Sequence, residues 1–302
     1  MPQPKFSGVI VPLITPFKED FSIDLDGIRW LTNFLVKKGV NGIFPYSTTG
    51  EFVHLKIEEG VKITEIVLQE CKGKTKVIPG ISANTTLDCI EIGKKMEDLG
   101  ADGVIATPPF FFKLKKENLY KHFSMIASKI SISLIVYNIP DLTGNLIPIE
   151  LYSKLAEEYS NIAGAKVTYD SASYLRDLIL ELKAIRKDFA ILTGLDDMLL
   201  ATLLLGGDGG IMACANFAPQ LHIGLYNAFH EKNYEKAFEF NKKIAKLVQI
   251  YKYASSFPSA IKAALKLLGT PIKNIVRPPL SPEPPEIEAK IRAILHELGM
   301  IK

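Results

Sequence analysis

The sequence predicts an α/β protein, a TIM (β/α)8 barrel with a C-terminal helical extension, and three observations carry that prediction. Short apolar runs alternate with segments of helical period from Val9 to Glu231. Most of those runs are continuously apolar rather than alternating, the pattern of strands covered by helices on a parallel sheet. A chain of 302 residues is long for one ordinary domain but normal for one such barrel. Residues 1–231 are therefore expected to form the barrel, and 232–302 the extension packed on it. A doubly wound open sheet is the alternative, but no Gly-x-Gly-x-x-Gly follows the first strand.

The first strand candidate is Val9 to Ile14, despite Pro12. Asp24 to Lys38 follows with Leu25, Ile28, Leu31, Leu35 and Val36 on one stripe, and Gly39 stands past its end, where a C-terminal glycine belongs. Further strands are expected over Gly42–Tyr46, Val77–Ser82, Gly103–Thr107, Ser133–Asn138, Ile162–Lys166, Ala190–Gly194 and Gly210–Ala213. Helices are expected between them, near 55–71, 84–99, 115–129, 148–159, 171–187 and 197–205. Phe217 to Glu231 would be the eighth helix. Tyr234–Tyr253, Pro258–Leu268 and Pro285–Leu298 then follow without strands. The proline-rich run Arg277 to Pro285 reads as a rigid connector into the last helix, with an SH3-type ligand as the lesser alternative.

The totals exclude several classes. An apolar fraction of 47% with 23% charged residues is that of a globular chain. A net charge of +3 leaves no basic footprint for nucleic acid. Cys71, Cys89 and Cys214 are odd in number and lack CxxC spacing, so neither a disulfide framework nor a zinc site is indicated. Met1 to Ser7 shows no secretory pattern, and Met198 to Leu205, the longest apolar run, is too short for a bilayer. A cytoplasmic protein is the expectation.

The chemistry is expected where barrel strands end. Ile162 to Thr168 is a small-residue strand that ends by presenting Lys166. Burial opposes protonation of an amine, which makes a nucleophile able to form a Schiff base with a ketone. The bland alternative is a strand-end lysine whose ammonium reaches water. After the second strand, Ser47-Thr48-Thr49-Gly50-Glu51 offers donors to an anion such as a carboxylate, or simply an N-cap and turn. Tyr137 closes the fifth strand as a proton shuttle or a packing residue. Asp196 and Asp197 follow the seventh, to hold substrate hydroxyls or to cap the next helix. Lysine, tyrosine and paired threonines together suit class I aldolase chemistry on a 2-keto acid, with no cofactor and no metal.

Other candidates carry less. His54, His122, His222, His230 and His296 have no metal-ligand spacing and read as surface or core packing. Gly206 to Gly210 precedes the eighth strand and so belongs to the bottom face. Lys113, Lys115 and Lys116 read as a solvated face.

In this order and spacing the chain resembles the N-acetylneuraminate lyase and dihydrodipicolinate synthase superfamily almost end to end. The residues that carry the resemblance are Ser47 to Glu51, Gly100-Ala101-Asp102-Gly103, Tyr137-Asn138-Ile139-Pro140, Ala165-Lys166, Gly207 to Ile211, Ala215 to Pro219 and Ile261 to Gly269. The resemblance implies Lys166 as the pyruvate Schiff-base lysine, Tyr137 as proton relay, and Thr48 and Thr49 as carboxylate binders. It also implies Gly194 and Ile211 beside the substrate, and usually a homotetramer.

Departures point to a branch. The synthases that condense pyruvate with aspartate semialdehyde carry an arginine shortly after Tyr-Asn-x-Pro, where this chain has Leu142. Leucine cannot clamp a carboxylate. Phe111 stands where those synthases lend a neighbouring subunit a tyrosine. Lys166-Val167-Thr168 and Gly194-Leu195-Asp196-Asp197 instead resemble the sugar-acid lyases, closest to 2-keto-3-deoxygluconate aldolases. The expectation is reversible cleavage of a 2-keto-3-deoxy sugar acid to pyruvate and an aldehyde, with Thr168, Asp196 and Asp197 near the polyol. The alternatives are the dihydrodipicolinate-forming synthase and a barrel that binds keto acids without turnover.

Overall fold

The computed structural model describes residues 4–302. The sequence reading of residues 1–7 thus lies partly outside the described residues. Eight parallel strands run β1 Gly8–Pro12, β2 Gly42–Phe44, β3 Lys76–Val77, β4 Gly103–Ala106, β5 Ser133–Asn138, β6 Ile162–Val167, β7 Ala190–Thr193 and β8 Gly209–Ile211. Their order is β3-β2-β1-β8-β7-β6-β5-β4. A parallel bridge from Gly80 to Ile105 joins the two ends and closes the ring. The architecture is a TIM barrel.

The helices between strands are α1 Leu25–Lys38, α2 Ile57–Cys71, α3 Thr86–Asp98, α4 Lys116–Ala127, α5 Pro140–Thr143, α6 Ile149–Glu158, α7 Ala172–Ile185 and α8 Leu199–Leu204. After β8 come α9 Pro219–His230, α10 Tyr234–Leu247, α11 Ile250–Tyr253, α12 Phe257–Leu267 and α13 Pro285–Glu297. Local chemistry sets their ends. Asp24 accepts from the Gly27 amide at 3.1 Å to start α1, and Gly39 closes it in the left-handed region at φ +81°. Ser171 caps α7 through the Tyr174 amide at 3.2 Å.

Two apolar layers lie between strands and helices, one of them continuing from α1 and α2 through α9 to α13. A third cluster, including Phe6, Ile10, Phe44, Ile135, Tyr137, Leu192 and Ile211, fills the barrel lumen. Strand alternation decides which residues enter it. Ala165 and Val167 pack outward, so Lys166 between them points inward beside Tyr137, its register partner on β5.

Three segments differ from expectation. The third strand is only two residues long as a regular strand, because Pro79 has no N–H and the backbone continues as single bonds, Ile78 N to Ile43 O and Gly80 N to Pro45 O. A one-turn helix, α5, follows Ile139, with Pro140 at its first position. The segment expected as one helix over Tyr234–Tyr253 breaks at Val248–Gln249 into α10 and α11. The break turns Tyr251 toward the barrel, where its phenol oxygen accepts from Cys214 Sγ at 3.2 Å.

Candidate active site

A cavity of about 330 Å³ opens at the C-terminal ends of the strands. Lys166, Tyr137, Thr48, Thr49, Thr168, Gly194, Asp196, Asp197 and Ile211 all line it. Elements far apart in sequence deliver these side chains to one place, as a barrel mouth does.

Lys166 is 3% exposed. Its Nζ lies 3.8 Å from the centroid of the Tyr137 ring and 5.1 Å from that of Phe44. Burial lowers its pKa to about 7, against an opposing pull from the Asp196 carboxylate. An ordinary lysine is almost wholly protonated at neutral pH; this one is divided between ammonium and free amine. Gly194 gives its stem room, since a Cβ there would meet Thr168 Oγ1 at 1.9 Å and Lys166 Cε at 3.0 Å.

The Tyr137 phenol oxygen accepts from Thr168 Oγ1 at 3.2 Å. Burial pushes its pKa up to about 12, while hydrogen bonds from Thr168 and Thr48 favour the phenolate. At neutral pH Tyr137 is a proton donor whose conjugate base already has two hydroxyls facing it.

Thr48 and Thr49 sit on a loop tied down from both sides. Thr15 Oγ1 donates to Gly50 O at 2.6 Å, the Ser47 hydroxyl to Leu13 O at 3.2 Å, and the Gly50 amide to Ser47 Oγ at 2.9 Å. Position 50 must be glycine, because a Cβ would lie 2.5 Å from Leu13 O. Glu51 follows in the left-handed region at φ +61°.

The two aspartates have different surroundings. Asp196 is buried, and its carboxylate accepts from the Cys214 amide at 2.9 Å and the Ala213 amide at 3.3 Å. His222 Nε2 lies 2.9 Å from the same carboxylate. Asp196 thus holds the β8–α9 loop as well as facing Lys166. Asp197 is raised above the usual carboxylate range, first by burial, then by the charges of Asp196 and Asp170.

Sequence reasoning missed the residues that the far end of the chain contributes. Gln249, Tyr251, Lys252 and Phe257 line the same cavity, as does Asp170 beyond β6. No strand end or motif flags the first four; the break between α10 and α11 accompanies Gln249, Tyr251 and Lys252, and the first residue of α12 adds Phe257. Asp170 lies two residues past Thr168, just beyond the end of β6, and that position is the sequence signal for it.

Leu142 and Phe111 lie apart from this cavity. Leu142 is half-exposed, in a shallow groove with Thr48, Glu51, Tyr251 and Leu280. Phe111 is 88% exposed, with a positive φ of 97°. The glycine-rich run before β8 belongs to the opposite face, where Asp208 takes Lys183 Nζ at 2.8 Å and the Ile191 amide at 2.7 Å. The proline-rich connector is fixed to the body. Ser259 Oγ donates to Ser281 O at 2.8 Å, and buried Glu283 accepts from the Ser255 amide at 2.8 Å.

Comparison with known proteins agrees with this architecture. Residues 5–298 match the dihydrodipicolinate synthetase family. An uncharacterized DapA-like lyase of Thermofilum pendens is 53% identical over 98% of this chain and 98% of its own. A probable 2-dehydro-3-deoxy-D-pentonate aldolase, YjhH of Escherichia coli K12, is 35% identical over 98% of this chain and 99% of its own. The crystal structure of YagE, an E. coli K12 prophage protein solved in complex with pyruvate, superposes with a TM-score of 0.96 at 34% identity, covering 98% of this chain and all of YagE. With a TIM barrel, a buried low-pKa lysine at its mouth and a family match over nearly its whole length, the chain belongs to the dihydrodipicolinate synthetase family of pyruvate carbon–carbon lyases.

Proposed function

We propose that the protein is a class I aldolase that reversibly cleaves a 2-keto-3-deoxy sugar acid to pyruvate and an aldehyde. The observation that carries this reading is the buried Lys166 amine, lowered to about 7, in one cavity with Tyr137, Thr48, Thr49 and the carboxylates of Asp170 and Asp197. The neutral amine attacks the keto carbon, and Tyr137 donates its proton to the hydroxyl that leaves as water. The resulting iminium draws electrons from the C3–C4 bond. The Tyr137 phenolate takes the C4 hydroxyl proton as the aldehyde departs, and the enamine left on Lys166 is protonated at C3 and hydrolysed to pyruvate. Thr48 and Thr49 hold the carboxylate. Thr168, Asp196, Asp197 and Gly194 face the polyol, and Ile211 forms the apolar floor.

Borohydride reduction in the presence of pyruvate, followed by peptide mapping, tests the core of the reading: pyruvate is expected on Lys166. An unlabelled Lys166 sinks it. Lys252, a cation lining the cavity, favours a second reading, condensation of pyruvate with aspartate semialdehyde, since it could take the second carboxylate. Apolar Leu142 speaks against it. Assaying both reactions side by side separates them.

A homotetramer and a cytoplasmic location belong to the same proposal. Exposed Phe111, Phe112 and Leu87 support the first, and three buried free thiols suit the reducing compartment of the second. Sedimentation and cell fractionation check them.

A further inference from the structure

The Thr48–Thr49 loop is anchored by the C-terminal extension through a fully buried ion pair. Glu51 Oε1 meets Lys262 Nζ of α12 at 2.6 Å, with neither side chain exposed. Lys262 Nζ also donates to Ile275 O at 2.7 Å and stands 4.3 Å from the centroid of the Phe17 ring. Glu51 Oε2 accepts from the Arg277 amide at 3.0 Å and lies 3.4 Å from His54 Nδ1. The Arg277 guanidinium in turn grips Glu59 of α2 at 2.8 and 2.5 Å and donates to His54 O at 2.9 Å.

This network spans more than 200 residues of sequence and closes on the residue that follows Gly50. The Glu51 amide donates to Thr48 O at 3.1 Å, so the carboxylate is one turn from the hydroxyls in the cavity. The backbone of Glu51 is left-handed, a conformation that a non-glycine residue keeps only when its surroundings impose it. A buried ion pair is a weak source of net stability but a strong geometric constraint. A loop that needed only a turn would not require one.

We infer that Glu51 and Lys262 are positioning residues, which set the Thr48–Thr49 loop for the substrate carboxylate and make the C-terminal extension part of the active site. The inference rests on the reading of those threonines as carboxylate binders.

The experiment is borohydride trapping of pyruvate across a concentration series in the full chain, comparing wild type with Glu51→Gln, the double variant Glu51→Gln/Lys262→Met, and Arg277→Ala. The double variant removes both buried charges together, which keeps the fold where a single change leaves one charge unpaired. The expected result is a tenfold or greater rise in half-saturating pyruvate for the Glu51 variants and a smaller rise, about threefold, for Arg277→Ala. Labelling at saturating pyruvate should still reach the wild-type extent, on Lys166. A purely structural role would leave half-saturation within twofold in every variant that folds, and that result overturns the inference. Absence of labelling in the wild type would instead refute the Schiff-base reading.

Discussion

Among the described residues two lysines are buried, and they differ in what faces them. Lys166 looks into the cavity with aromatic rings beside it and one carboxylate acting on it through space; its pKa falls to about 7. Lys262 is buried in the seam between barrel and extension, in direct contact with Glu51; the partner offsets part of the burial effect, and its pKa falls only to about 8. Burial acts the same way on both. Contact with a carboxylate keeps Lys262 closer to the ammonium form, suited to holding a loop, whereas Lys166 has a larger share of the nucleophilic amine. On the proposed function, the difference in neighbours is what suits one buried lysine to act as a nucleophile and the other to hold a loop.

The largest test of that contrast is removal of the cavity amine. On the proposed function Lys166→Met should lower turnover by at least about 10³-fold, since it removes the buried amine proposed as the nucleophile, and Lys252, the other lysine lining the cavity, is not expected to replace it. Pyruvate trapping should vanish while the fold survives, because methionine fills the same space without a buried amine. Equilibrium unfolding and mass mapping check both parts.

The opposite pattern is expected at the seam. Lys262→Met should leave Glu51 buried without its countercharge and destabilise the protein by roughly 3–5 kcal/mol. Adding Glu51→Gln should recover much of that loss, as a double-mutant cycle in denaturant would show. If the single change were as mild as Lys166→Met, the contrast between the two lysines would collapse.

The pH dependence separates them further. Trapping at subsaturating pyruvate should rise with pH through a midpoint near 7, where the Lys166 amine loses its proton. Asp196 opposes that loss, so Asp196→Asn should move the midpoint lower; an upward shift would refute the assigned coupling.

The smallest effect is on stability. Lys166 titrates near 10.5 when unfolded and near 7 when folded. Between those values the unfolded chain binds more protons, so folding is favoured as pH rises. Wild type should therefore gain stability relative to Lys166→Met between pH 7 and 9, and lose that gain as pH falls back toward 7. Paired melts at the two pH values read the sign.

Much of the fold was legible because its signals are local. Apolar runs such as Ser133–Asn138 and stripes such as that of Leu25–Lys38 report burial directly, and eight repeats leave few topologies. Most cavity residues from Thr48 to Ile211, though not Asp170, were legible for the same reason: each lies near or just past the C-terminal end of a strand, and strand ends converge in a barrel. The double character of Asp196 was less visible. Its sequence neighbours show an acidic pair before a helix, and only the fold places the Ala213 and Cys214 amides and His222 around one of the two carboxylates. The break at Val248–Gln249 was hidden because the helical stripe continues across it.

By itself the sequence determined the barrel, the strand that presents Lys166, and the set of hydroxyls, phenol and carboxylates gathered at its mouth, since each depends on local pattern and a repeated unit. Only the tertiary structure decided that Gln249, Tyr251, Lys252 and Phe257 line that mouth, and that Glu51 is clasped by Lys262 and Arg277. Those contacts join residues about two hundred positions apart. Their geometry depends on how α12 and the connector settle against the barrel, a packing that no local periodicity encodes.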